Sequence, residues 1–258
     1  MASPTALVRR PGPLLADGIT THIERRPVDL ELAVRQWHVY VEVLRGRGWK
    51  IVEVPPADDC ADAVFIEDTM VVFGSLAVIA NPGAEARRPE VAAAAGSVAS
   101  LGLRTERIVE PGTLDGGDVL KVGTTVYVGV GGRTNQEGAR QLGALLAPSG
   151  ATVVQVPTTR VLHLKSAVTA LPDGTVVGFE PLVDDVTVFP SFLAVPEEAG
   201  SHVVLLGDDE VLMSADCPLT AAMLRARGLR TVLVDISEYQ KLEGCVTCLS
   251  VRLRELPG

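Results

Sequence analysis

The chain has 258 residues, 47% of them apolar, and a formal net charge of −9. That much apolar material can bury a sizeable core in a single domain over residues 1–258, and with no run of Lys or Arg longer than a pair a nucleic-acid partner is not expected. No apolar run approaches the roughly 20 residues of a membrane span, and the N-terminus lacks a signal-type apolar core, so a cytoplasmic protein with no membrane partner and reduced cysteines is expected.

In chain order, one local pattern recurs: a helical stretch, a glycine, then a β-branched strand. The helices are expected over Asp29–Arg47, Glu90–Leu101, Asn135–Leu146 and Pro218–Arg227, and the fourth unit offers only the weak segment Phe189–Val195. Gly48, Gly102, Gly150, Gly200 and Gly228 would end them in the left-handed conformation that glycine adopts without steric cost. Strands are expected to follow at Ile51–Pro55, Arg107–Pro111, Thr152–Pro157, His202–Leu206 and Thr231–Val234. Between each such strand and the next helix lie paired apolar runs: Ala63–Ile66 with Met70–Phe73 and Leu76–Ala80, Val119–Val122 with Thr125–Val130, and Ala167–Leu171 with Val176–Phe179. Pro172-Asp173-Gly174 presets the turn in the last of these. The unit is strand, strand, helix, strand. The run Ala6–Arg9 has no preceding partner and Cys245–Leu253 has no following helix, so the two termini are expected to pair and close a ring of five units.

Such a ring would bring equivalent loops to one axis. The chemistry-bearing clusters keep that phase: 47 residues separate Asp68 from Asp115 and 48 separate Asp115 from His163, while Cys248 opens the closing segment. Cys248 is the candidate nucleophile, but an ordinary thiol pKa near ~8.5 leaves few thiolates at neutral pH, so it needs an activating neighbour. His163 fits that need, whereas His22, His38 and His202 have no acidic motif beside them. Asp118 reads as a turn cap, Lys165 and Ser166 as surroundings of the site, and Cys245 as a small buried hydrophobe entering a strand with Cys248. Read as C-x-x-C, the pair could also be a redox couple or half a zinc site, although Cys60 and Cys217 stand alone as second ligands. Gly116-Gly117 and Gly131-Gly132 lack the spacing and lysine of a phosphate loop. The loop Pro11–Thr21 is either a lid or a connector.

Taken together, Phe65-Ile66-Glu67-Asp68, Pro82-Gly83-Ala84 with Arg87-Arg88, Leu114-Asp115-Gly116-Gly117-Asp118, Arg133-Thr134-Asn135-Gln136, His163-Leu164-Lys165-Ser166 and Thr247-Cys248-Leu249-Ser250 resemble the dimethylarginine dimethylaminohydrolases of the guanidine-modifying (pentein) superfamily. The resemblance covers nearly the whole chain and implies an α/β fold, a five-bladed α/β propeller of pseudo-fivefold ββαβ repeats around a central active site. It implies Cys248 as nucleophile, His163 as general acid and base, and Asp115 as the carboxylate working with the histidine and the guanidinium. Asp115 is one methylene shorter than the glutamate some bacterial members carry there. Asp62, Glu67 and Asp68 would hold the guanidinium or its surroundings, Arg87 and Arg133 the substrate carboxylate, and backbone carbonyls near Ile19 and Leu242 its α-amino group. The expected reaction is hydrolysis of Nω-methylated L-arginine to L-citrulline and a methylamine, by a monomer or homodimer needing no cofactor or metal. The alternatives are a deiminase of free arginine or a related guanidine, and a non-catalytic binder of cationic amino acids.

Overall fold

A computed structural model describes residues 3–254 and 256. It begins with strand β1 (Thr5–Val8), helix α1 (Leu30–Arg45) and strand β2 (Lys50–Glu53). Then come β3 (Met70–Phe73), β4 (Leu76–Ile79), α2 (Glu90–Ser100) and β5 (Arg104–Arg107), followed by β6 (Val119–Val122), β7 (Thr125–Gly131), α3 (Gln136–Leu146) and β8 (Thr152–Thr158). The remainder is β9 (Val168–Ala170), β10 (Val176–Gly178), β11 (Phe192–Ala194), β12 (Val204–Leu205), β13 (Glu210–Ser214), α4 (Pro218–Ala226), β14 (Arg230–Val234), the short α5 (Ser237–Gln240) and β15 (Val251–Leu253). No helix among the described residues is long and apolar enough to cross a membrane.

These strands form five three-stranded sheets of one design, in which the middle strand runs antiparallel to the first strand and parallel to the third. The first sheet has the order β15-β1-β2, with Thr5 opposite Leu253 and Leu7 opposite Val251, so the two ends of the chain close the ring. The result is the α/β propeller of ββαβ units.

The first and middle strands are apolar on both faces because each sheet lies between two neighbours, and side chains alternate between them. Met70, Val72, Ala77 and Ile79 pack with α2 and the first sheet, whereas Val71, Leu76 and Val78 pack with α3 and the third. Val176 and Val177 likewise face successive interfaces. Helix α1 starts at Asp29, whose carboxylate accepts the Leu32 N–H at 2.9 Å, and it buries Ala33, Trp37, Tyr40, Val41 and Leu44 along one stripe.

Gly48, Gly102, Gly150 and Gly228 do take positive φ, at 79°, 85°, 77° and 89°. The fourth unit departs from expectation. Phe189–Val195 contains no helix; its centre is β11, paired parallel with β10. The run His202–Leu206 supplies only β12, the first strand of the fifth sheet. Gly200 is small for another reason, since a Cβ there would strike the Thr220 side chain. Three further expectations shift: the third strand of the second sheet is Arg104–Arg107 rather than Arg107–Pro111, Ala63–Ile66 forms no strand, and Cys245 and Cys248 lie in turns that precede β15.

Candidate active site

The segments before the inner strands β3, β6, β9 and β15 carry Asp68, Asp115, His163 and Cys248, and the ring brings these loops to one end of its axis. Asp68 and Asp118 each sit in a single 3-10 turn, His163 caps a third, and Cys248 N–H closes a turn on the Cys245 carbonyl at 3.1 Å. Asp68, His163 and Cys248 line one small pocket with Arg87, Arg133, Leu242, Ile19 and Asp62, and Asp115 lies outside its lining.

His163 Nε2 lies 3.1 Å from Asp115 Oδ2, and its Nδ1 lies 3.8 Å from Asp68 Oδ1. The shorter aspartate therefore still reaches the imidazole. Asp68 is fixed from two sides, accepting the Gly117 N–H at 2.8 Å and Arg87 Nη1 at 2.5 Å. Asp115 accepts the Gly83 N–H at 3.0 Å. Burial works to lower the His163 pKa, but Asp68, Asp118 and Asp115 outweigh it and lift the ring to about 9. Burial likewise opposes ionisation of Asp68, but His163 and Arg87 hold its carboxyl at about 2. At neutral pH the site thus holds an imidazolium against a carboxylate.

The thiol is poised differently. Cys248 Sγ sits 3.3 Å from Cys245 Sγ, which also lies 3.1 Å from Thr247 Oγ1. Cys248 is held well above the usual thiol range by its hydrogen bond with Cys245, by burial, and by the negative charges of Cys245, Glu67 and Asp68. Cys245 is therefore a hydrogen-bonding partner of Cys248 as well as a buried side chain. All four cysteines are free.

Arg87 differs from expectation. It is buried, and its donors are spoken for by Asp68, by Glu90 at 3.1 and 2.8 Å, and by the carbonyls of Asp62 and Phe65 at 3.2 and 3.1 Å. In this state it orients Asp68. Arg133 is freer: among the described residues its Nη1 is buried without a hydrogen-bond partner, 3.7 Å from Asp115 Oδ2. Glu67 also departs from expectation, for it lies behind the pocket. Its carboxylate pairs with Lys165 at 2.6 Å and Arg252 at 2.9 Å, and its N–H donates to the Cys248 carbonyl at 3.2 Å, so it tethers the Cys248 turn. Asp62 accepts the Ile19 N–H through both carboxylate oxygens at 3.2 Å, with burial raising its pKa against the pull of Arg87. Asp118 caps at long range rather than on its own turn, accepting the Leu164 N–H at 2.9 Å and the Thr134 hydroxyl at 2.6 Å. Burial, opposed by His163, lifts its pKa to about 6.

Ligand atoms of Asp68, Asp115 and His163 lie within 4.8 Å of one another. They could in principle hold a metal ion, but each is already hydrogen-bonded, and the Arg87 guanidinium on Asp68 opposes a second cation there. The paired glycines serve packing. A Cβ on Gly117 would sit 2.5 Å from His163 Nδ1 and 2.6 Å from Asp68 Oδ1. Gly117→Ala is therefore expected to leave a folded protein but to lower citrulline formation by about 100-fold, since displacement near 1 Å at a catalytic group carries that cost. Unchanged kcat with native circular dichroism would contradict this.

One element gave no signal in sequence. Glu243, at φ 59°, accepts the Thr21 and His22 N–H groups, each at 2.7 Å. It clasps the early loop over the pocket, whose remaining space is about 20 Å³, room for a water but not for an amino acid.

No family model matches the chain. An N(G),N(G)-dimethylarginine dimethylaminohydrolase from Streptomyces coelicolor is 60% identical over 256 residues, covering 99% of each chain. The Pseudomonas aeruginosa protein of the same name is 34% identical over 250 residues, 95% of this chain and 98% of that one. The chain belongs to the dimethylarginine dimethylaminohydrolase family. The crystal structure of a mutant Pseudomonas aeruginosa family member complexed with citrulline superposes with TM-score 0.90 at 31% identity, covering 98% of this chain and all of the other. A product-bound N-terminal domain of a cyanobacterial arginine dihydrolase matches with TM-score 0.88 at 19% identity, which carries the family's fold alone.

Proposed function

We propose that the protein hydrolyses Nω-methylated L-arginine to L-citrulline and a methylamine through a covalent intermediate on Cys248. The observation that carries this reading is the convergence of Cys248, His163 and Asp68 on one pocket, with Asp115 bonded to His163 from behind.

A guanidinium carbon is a poor electrophile and its amine leaves badly unless protonated, so the site must hold the cation, attack with sulfur and deliver a proton. Asp68 supplies directional, charge-assisted bonds to the guanidinium N–H groups, and Asp115 holds His163 in place behind it. Asp68 holds Arg87 in the empty protein, and the arriving guanidinium competes for the same carboxylate. Its capture would release part of the Arg87 fork to join Arg133 on the substrate carboxylate, which reconciles the arginine's observed position with its expected role. The carbonyls near Ile19 and Leu242 accept the α-amino group. Entry needs the loop clasped by Glu243 to open.

Substrate binding drives the thiol proton to solvent, and Cys248 sulfur bonds to the guanidinium carbon. His163, already protonated, gives its proton to the departing dimethylamine as the carbon–nitrogen bond breaks. A thiouronium adduct remains. Neutral His163 then takes a proton from water as its oxygen attacks the same carbon, the carbon–sulfur bond breaks, and citrulline leaves.

A positive charge beside Cys248 favours the thiolate that Glu67 and Asp68 disfavour. The apparent pKa of Cys248 alkylation is therefore expected to fall when a small guanidinium ligand is bound, and identical pH profiles with and without it would rule out substrate-assisted ionisation. The function itself is tested by citrulline release from arginine, monomethylarginine, asymmetric dimethylarginine and agmatine. Turnover of the methylated arginines is expected to dominate. Turnover of arginine alone would indicate a deiminase, and tight binding without turnover a binder.

A further inference from the structure

A second cavity, of about 450 Å³, lies on the propeller axis and shares no lining residue with the catalytic pocket. The inner strands β3, β6, β9, β12 and β15 all contribute to its wall, so it is the central channel of the ring. Asp68, Asp115, His163 and Cys248 precede these strands, whereas Gly74, Gly123 and Arg254 follow them and mark the opposite mouth. The Glu67–Lys165–Arg252 ion pairs form the floor between the two.

The charge of this channel is one-sided. Among the described residues its charged lining is Lys121, Lys165, Arg252 and Arg254 against the carboxylate of Glu67. Glu67 is committed to Lys165 and Arg252, and Arg252 Nη1 is further engaged by the Thr247 and Ser250 carbonyls, each at 3.0 Å. Lys121 and Arg254 have no carboxylate within ion-pair distance among the described residues. Lys121 Nζ bonds the Val72 carbonyl at 2.6 Å, and Arg254 bonds the Leu205 carbonyl at 2.9 Å and lies over the Trp49 ring at 5.8 Å. The charge of Asp208 reaches Arg254. Solvent reaches Lys121 through the channel, yet burial, followed by the charges of Lys165, Arg252 and Arg254, pushes its amine down to about 7. Like charges confined in a low-dielectric wall raise the local concentration of anions.

We propose that the central channel binds a small multivalent oxyanion of the phosphate type, held by Lys121 and Arg254 with Lys165 at its inner end. An amine and a guanidinium facing one water-filled space match the acceptor oxygens of such an anion. The site is separate from the catalytic pocket.

The test is calorimetric titration with inorganic phosphate at pH 7 and constant ionic strength. Saturating L-citrulline is present throughout, to keep phosphate off Arg133. One saturable site at millimolar phosphate or below is expected, weakened about tenfold or more in Lys121→Met and retained in Lys121→Arg. In the wild-type protein, phosphate is also expected to slow reductive methylation of Lys121, read by peptide mass mapping, while chloride at the same ionic strength does not. That second readout needs no variant to fold. Absence of saturable binding, equal affinity in Lys121→Met, or a methylation rate indifferent to phosphate would each overturn the proposal.

Discussion

Cys248→Ser is expected to lower citrulline formation by about 10⁴-fold or more while leaving substrate binding nearly intact, in line with the loss of a nucleophile that works as one unit with its acid and base. Serine fills the same volume in a turn anchored by the Cys245 carbonyl and the Glu67 N–H, so the fold is preserved. The groups proposed to hold the ligand, Asp68 and Arg133, are untouched. What changes is the nucleophile: a hydroxyl beside Glu67 and Asp68 ionises far less readily than a thiol, and a bound cation cannot close that gap. Stopped turnover with retained binding separates this account from a scaffolding role for Cys248, which would lower both. Citrulline formation in the serine variant within tenfold of wild type would place the nucleophile elsewhere.

The second large effect concerns His163. Its folded-state pKa is raised to about 9, above the usual ~6.5 of an unfolded histidine. The imidazolium therefore contributes stability that is complete below about pH 6.5 and is lost as pH rises through about 9, up to about 3 kcal/mol in all. The stability difference between wild type and His163→Gln, measured by urea unfolding, should narrow by that order between pH 6.5 and 9.5. The same shift keeps the general acid protonated through the neutral range, so the acid-dependent step should persist to about pH 9 before it fails. A ring that titrates near 6.5 in the folded protein, or a stability difference flat across this range, would show that Asp68, Asp118 and Asp115 do not set its charge.

Much of this arrangement was legible in the chain, for identifiable reasons. Helices ending at Gly48, Gly102, Gly150 and Gly228 announced themselves because left-handed backbone leaves a local signature. The phase of Asp68, Asp115 and His163 followed from the repeat length, and the closing contact of Thr5–Val8 with Val251–Leu253 from two runs without partners. The misreadings have physical causes. Strand β5 is Arg-Thr-Glu-Arg on an outer edge, largely exposed, where charge protects against edge pairing and hides the apolar alternation that marks a strand. The fourth unit dispenses with its α-helix, and Gly200 mimics a helix end while serving close contact with Thr220. The commitment of Arg87 to Asp68 and Glu90, the tether from Glu67 to the Cys248 turn, and the clasp of Glu243 on a loop over 200 residues away depend on which side chains the closed ring juxtaposes. Local sequence carries no trace of that.

The most direct measurement is peptide mapping by mass spectrometry of wild-type protein acid-quenched during turnover of asymmetric dimethylarginine. A substrate-derived covalent adduct, formed with loss of dimethylamine and carried by Cys248 alone, is the expected result. Steady citrulline production with Cys248 unmodified, or with the adduct on Cys245, would contradict a site in which the Cys248 sulfur attacks the guanidinium carbon.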